Sequence, residues 1–105
     1  LEFAKRVRVL VKKMPKTIST IEDCKQLARS SGSVGANYIE ANESLSKKDF
    51  VMRVKISRKE AKESAFWLKL LDTSANQTLE NERMALIKEA QELTNIFGSI
   101  IRKSE

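Results

Sequence analysis

Apolar residues recur along most of this chain at intervals of three and four, the spacing that lines them up on one side of an α-helix. Phe3, Val7, Leu10 and Met14 begin the pattern, and Pro15 interrupts it, because proline lacks a backbone N–H and restricts the residue before it. The run Arg6-Val7-Arg8-Val9-Leu10-Val11-Lys12 also alternates as a strand would. No other segment offers it a pairing partner, so a helix over about 2–14 is expected. A second segment opens near Ser19 or Thr20, where Ser19 and Glu22 have capping-box spacing, and runs to about 45 with Cys24, Ala28, Ser31, Gly35, Tyr38 and Leu45 on one stripe. Ser46 and Asp49 mark the next start. Phe50, Val54, Ser57, Ala61, Ser64, Leu68 and Leu71 follow at alternating steps of four and three, which predicts a third helix over about 47–72. After a connection at Thr73 to Asn76, a fourth helix over about 78–102 is traced by Leu79, Leu86, Ala90, Leu93, Phe97 and Ile100. Short links favour antiparallel neighbours, so the expected fold is all-α, an up-down-up-down four-helix bundle forming one domain over 1–105.

Two departures from simple core filling stand out. On the third helix, Met52, Ile56, Trp67 and Leu70 fall on roughly the side opposite the core stripe. A monomeric bundle would leave that face wet, so these four residues are the expected contacts of a homo-oligomer. On the second helix, polar and small residues occupy positions where hydrocarbon is expected. Ser31, Gly32, Gly35 and Ala36 would let a neighbouring helix approach closely, or else form a groove for a partner; close approach is the preferred reading. Arg29, Asn37 and Glu40 are expected to form a polar network that fixes helix register.

Composition agrees with a helical reading: 41% hydrophobic and 32% charged residues, with only three glycines and one proline, leave few turn residues for a sheet. Cys24 stands alone and is expected in the core of a protein kept reduced. No apolar run approaches the roughly 18 residues that span a bilayer, so a cytoplasmic location is expected. The chain opens on Leu1 rather than Met, which leaves residues upstream of it an open question.

Charge narrows the partners further than the net +6 does. Residues 1–72 hold sixteen Lys and Arg against nine Asp and Glu, whereas residues 73–105 hold four against five. On the third helix Lys55, Arg58, Lys62 and Lys69 lie within roughly 60° of arc, with Lys59 at the edge, and form a cationic ridge. Lys12 and Lys13 on the first helix and Lys47 and Lys48 at the start of the third add to the basic surface. Such a surface attracts polyanions through counterion release. It equally suits a solvated face that only keeps the protein dissolved, and the first helix alone would suit a membrane interface. The expected phosphate contacts are Lys12, Lys13, Lys47, Lys48, Arg58, Lys59 and Lys62, with RNA preferred and no membrane partner. No base-reading motif is visible.

Histidine occurs nowhere, which removes the Glu-x-x-His di-iron site of helical bundles and every triad that needs an imidazole base. Ser30-Ser31-Gly32-Ser33-Val34-Gly35 lacks the Gly-Lys-Ser/Thr ending of a phosphate loop. Glu40 with Glu43 and Glu60 with Glu63 are carboxylate pairs three apart, better suited to pairing with Arg29, Lys59 and Lys62 than to holding a metal. The expectation is therefore no enzyme, no cofactor, no metal and no small-molecule substrate.

Taken together, Arg29, the spaced set Ser33, Val34, Asn37, Glu40 and Ala41, the run Ser46-Lys47-Lys48-Asp49-Phe50, and the stretch from Lys59 to Leu68 resemble a known family. It comprises the four-helix bundle proteins encoded in intervening sequences of bacterial large-subunit (23S) ribosomal RNA genes. The resemblance covers nearly the whole chain and implies a ring-like homopentamer with no established enzyme activity. The chain also resembles the accessory protein of diversity-generating retroelements, which implies association with a reverse transcriptase and nucleic acid. Two functions from different classes follow: a non-enzymatic RNA-associated oligomer, or a protein-interaction scaffold for which nucleic acid is incidental.

Overall fold

The computed structural model describes residues 2–105 and contains four helices: α1 Glu2–Lys13, α2 Ile18–Asn42, α3 Lys47–Leu70 and α4 Gln77–Ser104. Among the described residues there is no strand, and the alternating run in the first segment is helical. Every start after the first is fixed by a side-chain oxygen that accepts an otherwise unpaired amide of the first turn. Thr17 Oγ1 accepts from the Thr20 amide at 3.2 Å, Ser46 Oγ from Asp49 at 3.1 Å, and Asn76 Oδ1 from Leu79 at 3.1 Å. The Ser46 start is the expected one, but the cap of α2 is Thr17 rather than Ser19 or Thr20. Thr17 is the residue with extended backbone, at φ −92° and ψ 163°, whereas Ser19 and Thr20 already lie inside the helix. Thr17→Ala is expected to reduce stability by about 1 kcal/mol, while Ser19→Ala should stay within about 0.5 kcal/mol. Equal effects in a denaturant titration would return the cap to Ser19.

The far end of α2 also differs from its sequence reading. The helix stops at Asn42, the Glu43 amide closes on the Ile39 and Glu40 carbonyls at 3.2 Å, and Leu45 lies beyond the helix, fully exposed. The link before α4 turns through Ser74 and Ala75, both left-handed at φ 54° and 63°, with the Ser74 amide donating to Asp72 Oδ1 at 2.8 Å.

The helices run up and down in turn. Arg6 pairs with Glu89 and Lys13 with Glu82, so α1 and α4 are antiparallel. Ser64 reaches Ser30 while Ser57 reaches Val34, which sets α3 antiparallel to α2, and Lys55–Glu105 with Arg83–Leu68 does the same for α3 and α4. The backbone of α1 lies close to α2 and α4 but not to α3, and that of α2 not to α4, so α1 and α3 sit on one diagonal and α2 and α4 on the other, meeting only through core side chains. At 12 residues α1 is about half as long as the others, and the bundle therefore has a four-helix end and a three-helix end.

Two apolar clusters fill it. Phe3, Val7, Leu10, Cys24, Leu27, Leu68, Leu86 and their neighbours occupy the α1 end. Val34, Ala41, Val54, Ala61 and Phe97 occupy the other, with the Tyr38 and Phe97 ring centres 5.7 Å apart. Burial pushes the Cys24 thiol up from its ordinary value, with nearby Asp23 adding to the effect. The core stripes of α3 and α4 follow the sequence pattern, with the addition of Ala65, Ile87 and a buried Glu60.

Between α2 and α3 lies a seam of four fully buried serines, Ser30, Ser31, Ser57 and Ser64. Ser57 donates across it to the Val34 carbonyl at 3.0 Å. The Ser64 hydroxyl is placed to donate to Ser30 Oγ at 3.0 Å or to the Glu60 carbonyl at 2.9 Å. Ser30 and Ser31 donate back to the Leu27 and Ala28 carbonyls. No buried side-chain polar atom among the described residues lacks a partner, which is what makes hydroxyls tolerable there. Of the small residues expected to admit a neighbouring helix, Ser31 and Gly35 are buried, whereas Ala36 is exposed and a Cβ on Gly32 would meet Arg8 of α1 at 3.4 Å rather than α3.

A second clasp closes the α3–α4 turn. Arg83 donates to the Leu68 carbonyl at 3.0 Å and to the Glu80 carboxylate, which also accepts from Thr73 at 3.1 Å. Chiefly because of the Arg83 hydrogen bonds, the Glu80 carboxyl titrates below its usual range and the Arg83 guanidinium above.

Candidate nucleic-acid interface

α3 buries Val54, Ser57, Glu60, Ala61, Ser64, Ala65 and Leu68, packing against α2 and α4, and turns its cationic side outward. Lys55, Arg58, Lys59 and Lys62 are exposed there and line, with Glu63 and Phe66, a shallow hollow of about 360 Å³. Toward the start of the helix, Lys47, Lys48 and the same Lys55 border a larger hollow of about 830 Å³ floored by Val51 and Met52. Among the described residues, Arg58, Lys59 and Lys62 have no carboxylate within ion-pairing distance, whereas Lys55 pairs with Glu105 at 3.3 Å. Like charges one helical turn apart, such as Lys55 with Lys59 and Arg58 with Lys62, destabilise an isolated helix by a few tenths of a kcal/mol each. An anionic partner relieves that repulsion.

The nearby acids of α3 are engaged by Arg29 rather than by the ridge. Arg29 of α2 donates to Glu60 at 3.2 Å and to Glu63 at 2.9 Å. Glu60 is almost completely buried, so the Arg29 contact supplies the pairing that a buried carboxylate requires. This places the Glu60 and Glu63 pair in an ion-pairing role. It also separates the three residues expected to form one network. Asn37 instead donates to the Ser33 carbonyl at 2.9 Å and to Ser33 Oγ at 3.0 Å, and accepts from Arg53 at 3.4 Å. Glu40 is exposed and its side chain stands outside both groups.

Of the seven expected phosphate contacts, Lys47, Lys48, Arg58, Lys59 and Lys62 share α3, but Lys12 and Lys13 do not join them. They end α1, at the corner of the bundle diagonally across from α3, and Lys13 is engaged with Glu82 at 3.1 Å. The expected oligomer contacts divide as well. Met52 and Leu70 are about half exposed, Ile56 is half-buried, and Trp67 packs in part against the cluster at the α1 end.

Two features of this surface were missed in the sequence. Gly98 of α4 is buried under guanidinium groups: a Cβ there would lie 3.4 Å from both Arg58 Nε and Arg102 Nη1. Arg102 therefore joins the ridge from the neighbouring helix. The only signal was a glycine four residues before an arginine, which periodicity alone reads as a weak point. The second feature is Phe66, to which the sequence reading gives no role beside Trp67; the residue is 55% exposed and its ring meets Trp67 edge-on, centre to centre at 5.0 Å.

No group of His, Cys, Asp or Glu among the described residues is arranged to hold a metal ion, and no helix is long and apolar enough to cross a membrane. A search of curated proteins finds no match. A solved structure from Bacteroides thetaiotaomicron, described as a protein of unknown function from the S23 ribosomal protein family, is similar over 95% of this chain and 92% of its own, at 32% identity and a TM-score of 0.82. Residues 1–99 match the 23S rRNA-intervening sequence proteins. With that match spanning nearly the entire bundle, the chain belongs to the 23S rRNA-intervening sequence protein family.

Proposed function

We propose that this protein is a non-enzymatic, oligomeric nucleic-acid-binding bundle that prefers RNA and grips it through phosphates. The observation that carries this reading is the convergence of Arg58, Lys59 and Lys62, none of them ion-paired, on one concave face beside Lys55. Lys47 and Lys48 extend the same helix face, and Arg102 adds a cation from α4. Met52, Ile56, Trp67 and Leu70 hold subunits together, in a pentamer on the family resemblance, and repetition of the ridge around the assembly multiplies its affinity by avidity.

The test is a titration of fluorescently labelled structured RNA, with duplex DNA of equal length as control, followed by anisotropy across a salt series. Binding at about micromolar or tighter is expected, with log K falling linearly in log salt at a slope of about 0.9 per phosphate contact on a duplex. Absence of binding to either polymer at low salt would refute the reading. The second reading, a scaffold or accessory subunit for a protein partner such as a polymerase, draws support from Ile18, Ile39, Leu45 and Ile96, apolar side chains exposed on or beside helices other than α3. Stable co-purification of a partner after nuclease treatment would favour it.

A further inference from the structure

We propose that the ridge takes an unpaired strand, with Phe66 as the platform on which a base stacks. This deepens the phosphate-binding reading above and rests on it. Phe66 lines the same hollow as Lys55, Arg58, Lys59, Lys62 and Glu63, the last already paired with Arg29, so an exposed aromatic face sits beside four cations. The cations recur about once per helical turn, roughly 5.4 Å along the axis, and form a track that a flexible backbone can follow. Trp67 braces the phenyl ring edge-on at 5.0 Å and is itself anchored on the core cluster, so the platform is held in place before any ligand arrives.

A duplex has its base faces covered by their neighbours and offers this ring only sugar and phosphate. An unpaired strand can turn a base out onto the ring while its phosphates remain on the lysines. Every base has a π-face, so the site discriminates strandedness rather than sequence. Phe66 contributes nothing to counterion release, which separates its signature from that of the lysines.

The experiment compares oligouridylate with duplex RNA of equal length on the wild type, Phe66→Ala and Phe66→Trp at one fixed salt concentration, followed by a salt series. Phe66→Ala is expected to weaken single-strand binding by about tenfold, within the range known for loss of one stacked base, and to leave duplex binding and the salt slope unchanged. Phe66→Trp should restore binding. Emission from Trp67, the only tryptophan, should change when the wild type binds the single strand. Unaltered single-strand affinity in Phe66→Ala overturns the proposal, and so does an equal loss on the duplex. A shift in subunit number in place of a binding defect would also overturn it, by assigning Phe66 to contacts between copies. If the wild type binds neither polymer, the phosphate-binding reading fails first. If it binds both and Phe66→Ala changes nothing, only the stacking role fails. Phe66 is more than half exposed, so the alanine variant is expected to keep the wild-type helical circular dichroism.

Discussion

Truncating Leu68 to alanine is expected to lower the free energy of unfolding by about 3 kcal/mol, within the range for fully buried leucines. Leu68 has no exposed surface and belongs to the cluster that joins α1 residues Phe3, Val7 and Leu10 to α2 and α4. The loss has two parts. The removed carbons no longer leave water on folding, and the space they vacate stays open because helices pinned from several sides cannot collapse into it. At the size of this chain the change corresponds to a fall in Tm on the order of 10 °C or more. Val9→Ala, about half exposed on α1, should change stability by less than about 0.5 kcal/mol. Guanidinium titrations monitored by circular dichroism decide the matter. A loss under about 1 kcal/mol for Leu68→Ala would mean that α3 is not packed as described.

The double charge reversal Lys59→Glu with Lys62→Glu should have the largest effect on binding. Each lysine removed from a phosphate contact takes about one unit from the salt slope. Two units acting over the decade between 1 M and 0.1 M salt amount to about a hundredfold loss at 0.1 M, and the new carboxylates repel the polymer further. Both positions are exposed and unpaired, so helicity and the subunit number seen by light scattering should not change. The informative control is Lys12→Glu with Lys13→Glu, an equal change of charge on the helix diagonally across from α3, which is expected to weaken binding far less. Equal losses for the two pairs would make binding a matter of net charge and would remove the ridge from the mechanism.

Much of the architecture was legible because a single physical signal carries it. Burial on one side of a helix forces a period near 3.6, and the stripes of α3 and α4 show it almost without interruption. Helix ends were less legible where several hydroxyls compete. Thr17, Ser19 and Thr20 all can cap, and only the backbone of Thr17 is extended. Leu45 fitted the α2 stripe by spacing alone, but the helix had already ended at Asn42.

The site was harder to read, since it depends on contacts between residues far apart in sequence. Glu60 and Glu63 were legible as ion-pairing acids with Arg29, Lys59 and Lys62 as candidate partners, but the choice of Arg29 and the burial of Glu60 depend on how α2 packs on α3. Arg102 comes beside Arg58 over Gly98 through the packing of α4 on α3, which spacing along one helix does not show. The separation of Lys12 and Lys13 from the others was available in principle, because first and third helices of an up-down bundle lie diagonally. Charge counting along the chain discards that geometry.

The order of the helices also sets how the chain reaches this state. α1 meets α2, α2 meets α3 and α3 meets α4 across short connections, so most of the packing joins segments already adjacent along the polypeptide. Among the described residues, the seam between α1 and α4 is the helix–helix packing that joins the most distant parts of the chain, as Arg6 with Glu89 and Lys13 with Glu82. Loop-closure entropy is therefore small for every step but one, and a topology so rich in local contacts places folding on the order of microseconds to milliseconds. The antiparallel core of α2, α3 and α4 can condense first, with the short α1 docking against α2 and α4 as the closing event.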